Sequence, residues 1–254
     1  MAVQTPVAPF RPAGEHFAID LPGATVVFTT RRGGVSDGPY ASLNLGYLTA
    51  DDPEAVAANR AGLERELAVR LGFVHQVHGA RVRRLTDGDA EREHAAGPGS
   101  LARADGQVTS APGLAAAVLT ADCLAVAIAG DGAVAMVHGG WRGLHDGVIA
   151  AAVRALRAAG AAGPLAAAIG PGAGPCCYEV GAEVHEAFAD RPAAVHAGDN
   201  LDLPAIAGHD LAATGVDTVH PIGLCTICAD ASLFFSHRRD RGVTGRQAGI
   251  AWCS

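Results

Sequence analysis

Between Leu114 and His138 the chain is apolar almost without pause, and two short interruptions constrain what it can fold into. The first is Gly130-Asp131-Gly132, which separates the runs Leu114–Ala129 and Ala133–His138. Apolar strands flanking a tight Gly-containing turn predict an antiparallel hairpin. The second is Thr120-Ala121-Asp122-Cys123, and the return strand ends in His138-Gly139-Gly140-Trp141-Arg142-Gly143. Cys123 precedes the turn at Asp131 by about as many residues as His138 follows it. In an antiparallel pair the two then fall within about two positions of each other, and roughly 5 Å apart at the closest registers. Both sit where apolar sequence gives way to polar or Gly-rich sequence, where a cleft can open.

A Cys beside a His has three readings. It is a buried pair without a role, a thiolate–imidazolium nucleophile, or part of a metal site. His78, in Gln76-Val77-His78-Gly79, is the candidate third ligand. Phe73–Leu85 alternates like a strand through Val74, Val77 and Val82, and Gly79 lets another backbone approach. His75 falls out of phase with His78 and should face the other side. Two His and one Cys suit zinc with its fourth position left for water or substrate. Such an ion polarises an oxygen and lowers the pKa of bound water.

Elsewhere, Ala24–Thr30, Gly106–Ser110, Leu165–Ile169 and Asp217–Pro221 read as strands, and Ser232–Cys253 holds at least one more. Asp52 and Pro53 cap a helix over Glu54–Gly72. Gly143–Ala159, Glu179–Ala189 and Leu203–Ala213 read as further helices, and Glu91–Ala104 as a loop. Helices and strands do not alternate regularly, so the fold class is α+β, with no linker dividing residues 1–254.

The 254 residues carry a net charge of −7, which argues against a nucleic-acid partner. The Arg81, Arg83, Arg84 and Arg238, Arg239, Arg241 clusters read as solvated faces. No signal peptide or membrane span is evident, so a cytoplasmic protein with reduced thiols is expected. Cys225 and Cys228 form a Cys-x-x-Cys without a second such pair. Adjacent Cys176 and Cys177 would point apart on a strand. All four, with Cys253, read as core or loop residues.

The chain resembles the YfiH-type family, historically labelled the polyphenol oxidase or laccase-domain family. The resemblance is carried in order by Thr29-Thr30-Arg31, Gly33-Gly34-Val35-Ser36, Leu43-Asn44-Leu45-Gly46 and Gln76-Val77-His78-Gly79. It continues through Ala104-Asp105-Gly106, Thr120-Ala121-Asp122-Cys123, His138-Gly139-Gly140-Trp141-Arg142-Gly143 and Ile169-Gly170-Pro171. Cys176-Cys177-Tyr178-Glu179-Val180-Gly181, Cys225-Thr226, Phe235-Ser236 and Thr244-Gly245-Arg246 complete it. Departures are His75, Gly139 and Gln247. The resemblance implies a four-layer α-β-β-α sandwich with mixed or antiparallel sheets. It also implies zinc on His78, Cys123 and His138, and phosphorolysis of adenosine, inosine, guanosine and methylthioadenosine, with adenosine deaminase activity besides. Some members are linked instead to editing of peptidoglycan precursors.

The older label implies copper-dependent phenol oxidation. Multicopper chemistry needs several coppers and many His ligands, commonly paired as His-x-His. The 11 His include no such pair; a single copper would be an adventitious occupant. For phosphorolysis, Arg31 and Arg142 are candidate anion holders. Asn44 and Gln76 offer both donors and acceptors to a sugar or base. Asp122, beside Cys123 and His138 in the catalytic set, is a candidate to orient His138. The rival readings are a metal-independent Cys–His hydrolase with Cys123 as nucleophile, and a muropeptide-binding or editing factor.

Overall fold

The computed structural model describes residues 6–88, 101–192 and 195–254. In chain order the elements are β1 (Arg11–Ala13), β2 (His16–Leu21), β3 (Ala24–Phe28), α1 (Pro53–Leu67), β4 (Arg70–Gly72) and β5 (Val82–Arg84). Then come β6 (Gly106–Thr109), β7 (Leu114–Thr120), β8 (Leu124–Asp131), β9 (Ala133–Gly139), α2 (Trp141–His145) and α3 (Val148–Ala158). The remainder are β10 (Ala162–Ile169), α4 (Ala182–Ala187), β11 (His196–Ala197), β12 (Asn200–Leu201), α5 (Leu203–Ala213), β13 (Thr218–Pro221) and β14 (Gln247–Cys253).

Two six-stranded mixed sheets form the centre, in the orders β1-β2-β3-β14-β7-β4 and β13-β10-β8-β9-β6-β5. Their facing sides share one core, in which Ile19, Val26, Phe28 and Val118 meet Ala127, Val134, Met136 and Ala168. The outer face of the first sheet packs on α1 through Leu63, Leu71, Ala115 and Ile250. The outer face of the second packs on α3 and α5 through Val126, Val137, Ile149, Val153, Ile206 and Leu211. The layers are therefore α-β-β-α. This explains why β7, β8 and β9 read as unbroken apolar runs, because both faces of each strand are covered. Each large side chain so buried contributes about 1.5–3 kcal/mol relative to exposure.

The β8–β9 hairpin forms as expected, with Gly130 opposite Ala133 and Gly132 at φ 90°. The preceding apolar run, however, is two strands in two sheets. Thr120-Ala121-Asp122-Cys123 is the crossover from β7 to β8, so the break in hydrophobicity marks the seam between sheets.

Several boundaries differ from the sequence reading. Helix α1 stops at Leu67, where Ala68 takes a left-handed conformation (φ 54°), and Leu71 belongs to a strand. Asp52 caps α1 by accepting from the Glu54 N–H, a contact worth about 1 kcal/mol. The predicted helix over Gly143–Ala159 is two helices, broken at Gly147 with φ 83°. Phe73–Leu85 is not one strand. Its centre is irregular, with only Val82–Arg84 paired to β6. Of the predicted loop Glu91–Ala104, residues 91–100 lie outside the described residues. Among the described residues no helix is long and apolar enough to cross a membrane.

Candidate active site and metal centre

Cys123, His138 and His78 reach one point from three different segments. Ala125 pairs with His138 across the hairpin, and Cys123 lies two residues earlier, just before β8 begins. The two-position offset is within that expected from the turn. His78 arrives from the loop between β4 and β5 with φ 59°, and Asp122 turns the chain into Cys123 at φ 97°. The ligand atoms of His78, Cys123 and His138 all lie within 4.8 Å of one another. The two imidazoles meet edge to face with centroids 4.8 Å apart. Gly140 makes the convergence possible, since a Cβ there would sit 3.0 Å from His78 Cδ2 and 3.1 Å from Cys123 Sγ.

The group that organises this set is Asp105, to which the sequence assigned no role. It is fully buried. Its Oδ1 lies 3.0 Å from His138 Nδ1 and accepts from the His78 N–H at 2.8 Å. Its Oδ2 accepts from the Gly79 N–H at 2.8 Å, and the Val77 N–H reaches both oxygens. Three successive N–H groups thus cradle one carboxylate, the arrangement of an anion nest. Because that carboxylate is ionised, His138 Nδ1 carries the proton and Nε2 is the nitrogen available to a metal. Asp122, expected to orient His138, does something else. Its Oδ1 accepts from Thr226 Oγ1 and its Oδ2 from the Arg238 N–H, both at 2.7 Å, so it ties two distant loops together.

The electrostatics follow from this geometry. Burial alone would raise the Asp105 carboxyl; the hydrogen bonds from His138, Gly79 and Val77 outweigh it and hold the pKa below the usual range. Burial would likewise raise the Cys123 thiol, yet the imidazolium of His138 brings it down to about 6. His138 in turn rises to about 9, because Cys123 and Asp105 outweigh its burial. Both shifts favour the thiolate–imidazolium form of the pair.

A cavity of about 450 Å³ opens over this floor. Arg60, Arg238, Arg246, His75 and His237 line it, with Tyr47 and Tyr178 as aromatic walls. Its lining is cationic although the whole chain is acidic. Arg238 is exposed, as expected of its cluster, and its exposed side chain also lines the cavity; His75 shares the cavity with His78 because their segment is not an alternating strand. Arg246 lies close enough to Cys123 and Asp122 to feel both charges.

The other sequence candidates divide. Gln76 lines the cavity while exchanging two 2.8 Å hydrogen bonds with the Leu119 backbone. Arg31 is not in the lining. Its guanidinium donates to the carbonyls of Ala41, Ala231 and Pro39 and stacks 4.3 Å over Phe235, so it is a bracket for the N-terminal loops. Asn44 is wholly buried: its amide donates to Thr49 and Asp51, and its oxygen accepts from the Gly46 and Arg246 N–H groups. It positions the segment that carries Arg246. Arg142 stacks on Trp141 at 4.3 Å and lines a shallower neighbouring depression.

Cys176, Cys177, Cys225 and Cys228 are turn and loop residues, as expected, but they are not scattered. Their sulfurs all lie within 4.8 Å of one another. The strand argument for Cys176 and Cys177 does not apply, because they occupy a turn.

An α-β-β-α sandwich with two His and one Cys at the floor of a cationic cavity defines a class of proteins with a candidate metal-binding set in a cleft. The chain belongs to the family described as multi-copper polyphenol oxidoreductase laccase, whose model matches residues 25–254. It is 39% identical over 235 residues to a protein of Pseudomonas aeruginosa named purine nucleoside phosphorylase, covering 88% of this chain and 91% of the relative. It is 38% identical to the purine nucleoside phosphorylase YfiH of Escherichia coli, covering 91% and 94%. Among solved structures, Bacillus licheniformis YfiH superposes with a TM-score of 0.88 at 32% identity, covering 98% of this chain and all of that one. The family's description and its relatives' names point to different chemistries. Among the described residues, the candidate metal sets are the His2Cys group and the cysteine cluster. Neither offers the His-rich donors that multicopper oxidation requires.

Proposed function

We propose that this chain is a purine nucleoside phosphorylase, with residues 1–254 acting as one catalytic domain in the cytoplasm. The observation that carries the reading is the cationic cavity directly above the His78, Cys123 and His138 donors. The names of its relatives support it. In the reaction, a phosphate oxygen attacks C1′ of the nucleoside and the C1′–N9 bond breaks. The base leaves with a proton, and ribose 1-phosphate remains. A guanidinium fork suits phosphate better than an ammonium does, so Arg246 and Arg238 are assigned to the anion. Tyr47 and Tyr178 offer flat faces to the base or sugar. Asp105 keeps His138 in the tautomer that presents Nε2.

The donor set fits zinc: one soft thiolate, two imidazoles, and a carboxylate behind one of them. Zinc bound there supplies Lewis acidity toward an oxygen of the substrate, and copper would be an adventitious occupant. Adenosine, inosine, guanosine and methylthioadenosine are the proposed substrates, with deamination of adenosine as a lesser activity. Zinc-loaded protein incubated with inosine should release hypoxanthine and ribose 1-phosphate only when phosphate is present. No base release under those conditions overturns the reading.

One observation favours a second reading. Cys123 and His138 are poised as a thiolate–imidazolium pair, which suits a metal-independent hydrolase with Cys123 as nucleophile. Turnover that survives exhaustive chelation, together with covalent labelling of Cys123 by substrate, would select it.

A further inference from the structure

Four cysteines unused by this reaction lie together on the far side of Asp122. Strands β10 and β13 run parallel as neighbours, so the loops that follow them leave the sheet at the same edge. Gly172 and Cys225 pair in a parallel bridge. The Thr226 N–H donates to the Gly172 carbonyl at 3.0 Å, and the Gly172 N–H to the Leu224 carbonyl at 3.3 Å. The two loops are thus zipped side by side, one presenting Cys176 and Cys177 and the other Cys225 and Cys228.

The four sulfurs lie within 4.8 Å of one another, with Cys176 and Cys228 3.5 Å apart. Four thiolates at about 2.3 Å from a zinc ion stand about 3.8 Å from each other in a tetrahedron, so the cluster is near the size the ion needs. Its local features are those of a thiolate metal site. Cys225-x-x-Cys228 has the usual spacing and is closed into a turn by the Ala229 N–H donating to the Cys225 carbonyl at 3.0 Å. The Gly174 N–H points at Cys225 Sγ from 3.3 Å, the kind of outer contact that supports a metal-bound thiolate. A Cβ at Gly174 would lie 3.4 Å from Cys225 Cβ and 3.5 Å from Cys176 Sγ, so the backbone roofs the cluster closely. Sulfurs this close oppose one another's ionisation, and a dication removes that penalty.

We propose that Cys176, Cys177, Cys225 and Cys228 form a second metal site, structural in role, that takes one Zn²⁺ as a tetrathiolate. Binding displaces the thiol protons and closes the coordination sphere, leaving no position for substrate. The ion staples the two loops next to the active-site floor. From those loops the Ala173 N–H donates to the Asp122 carbonyl and Thr226 Oγ1 to its carboxylate, each at 2.7 Å. Cys123 and Tyr178 follow directly in sequence from residues so held.

The test is zinc content per chain in protein purified under reducing conditions, with cobalt substitution as a second readout. Wild type should hold two zinc ions. A His78→Ala/His138→Ala variant should keep one, and its cobalt form should show the intense sulfur-to-cobalt charge-transfer and tetrahedral d–d bands of a four-sulfur site. Cys225→Ser/Cys228→Ser should lose one ion; if it fails to fold, wild type and the His variant still decide. A wild-type chain with a single zinc that vanishes in the His variant overturns the proposal. So does an intact mass showing a Cys176–Cys228 disulfide in place of the metal.

Discussion

Asp105 and His138 are joined by a 3.0 Å hydrogen bond between Oδ1 and Nδ1, and the same carboxylate holds the backbone of His78. One buried acid therefore sets two of the three donors that converge with Cys123. Asp105→Asn keeps the shape but loses the charge, and its amide must turn a donor toward either His138 or the nest of N–H groups. Zinc affinity at this centre should fall about 10–100-fold, the usual cost of losing such a partner. Competition with a chromophoric chelator measures it, with circular dichroism to confirm folding. Unchanged affinity would show that Asp105 is only a loop fastener.

Gly140 has an ordinary backbone conformation, with φ −76°, so adding a methyl group strains nothing locally. The methyl would instead press on His78 Cδ2 and Cys123 Sγ from 3.0 and 3.1 Å, closer than ordinary van der Waals contact, so one of them must give way. Gly140→Ala should leave the melting temperature within a few degrees and reduce metal-dependent turnover at least about tenfold, as for other displaced ligands. Gly208→Ala, where a Cβ meets nothing within 4 Å, serves as the control and should be silent. Full activity in Gly140→Ala would mean that the three donors need not approach as closely as they do.

The Cys123 thiol is depressed to about 6, so in metal-free protein it is thiolate above that pH and thiol below it. Alkylation of chelator-treated protein by iodoacetamide should rise with pH through a midpoint near 6 rather than near the ordinary thiol value. Zinc should protect Cys123 at neutral pH. As pH falls through about 6 the proton competes for the same sulfur, so zinc should be released on acidification. A single alkylation midpoint above 8 would contradict the ion pair.

Arg246 and Arg31 offer a paired test of cavity against scaffold. Arg246 lines the cavity, whereas Arg31 donates to three carbonyls away from it. Arg246→Met should raise KM for phosphate at least about tenfold with little change in zinc content, a loss of about 1.4 kcal/mol or more in binding. Arg31→Ala should cost about 1–3 kcal/mol of stability by orphaning those carbonyls, with kcat/KM nearly unchanged in the surviving folded protein. Steady-state kinetics and urea denaturation separate the two, and the reverse pattern would reassign the anion site to Arg31.

What the sequence made legible follows the range of its signals. The hairpin and the Cys123–His138 pairing depend on counting residues about a local turn, and the register of Ala125 with His138 matches that count. His78 was reached because it stands in a run with its own character, although the run is a loop and the alternation that separated His75 from it is absent. Asp105 stands in one of the segments that carry the family resemblance but shows no role there, because a lone Asp before a short strand looks like any turn residue. Its role appears only when β6 pairs with β9 and brings it under His138. Asn44 and Arg31 have the chemistry of ligand holders, but their polar atoms are satisfied within the protein. The cysteine cluster is hidden by the 47 positions between Cys177 and Cys225, which only the parallel pairing of β10 and β13 brings together.

The claim on which the rest stands is that His78, Cys123 and His138 act as one centre for phosphorolysis through a bound cation. Its most direct test is phosphate-dependent release of hypoxanthine from inosine by protein stripped of metal and then titrated with zinc, alongside Cys123→Ser. The account predicts that stripping abolishes release, that zinc restores it, and that Cys123→Ser stays inactive at any zinc level. Undiminished release from the stripped protein would contradict it.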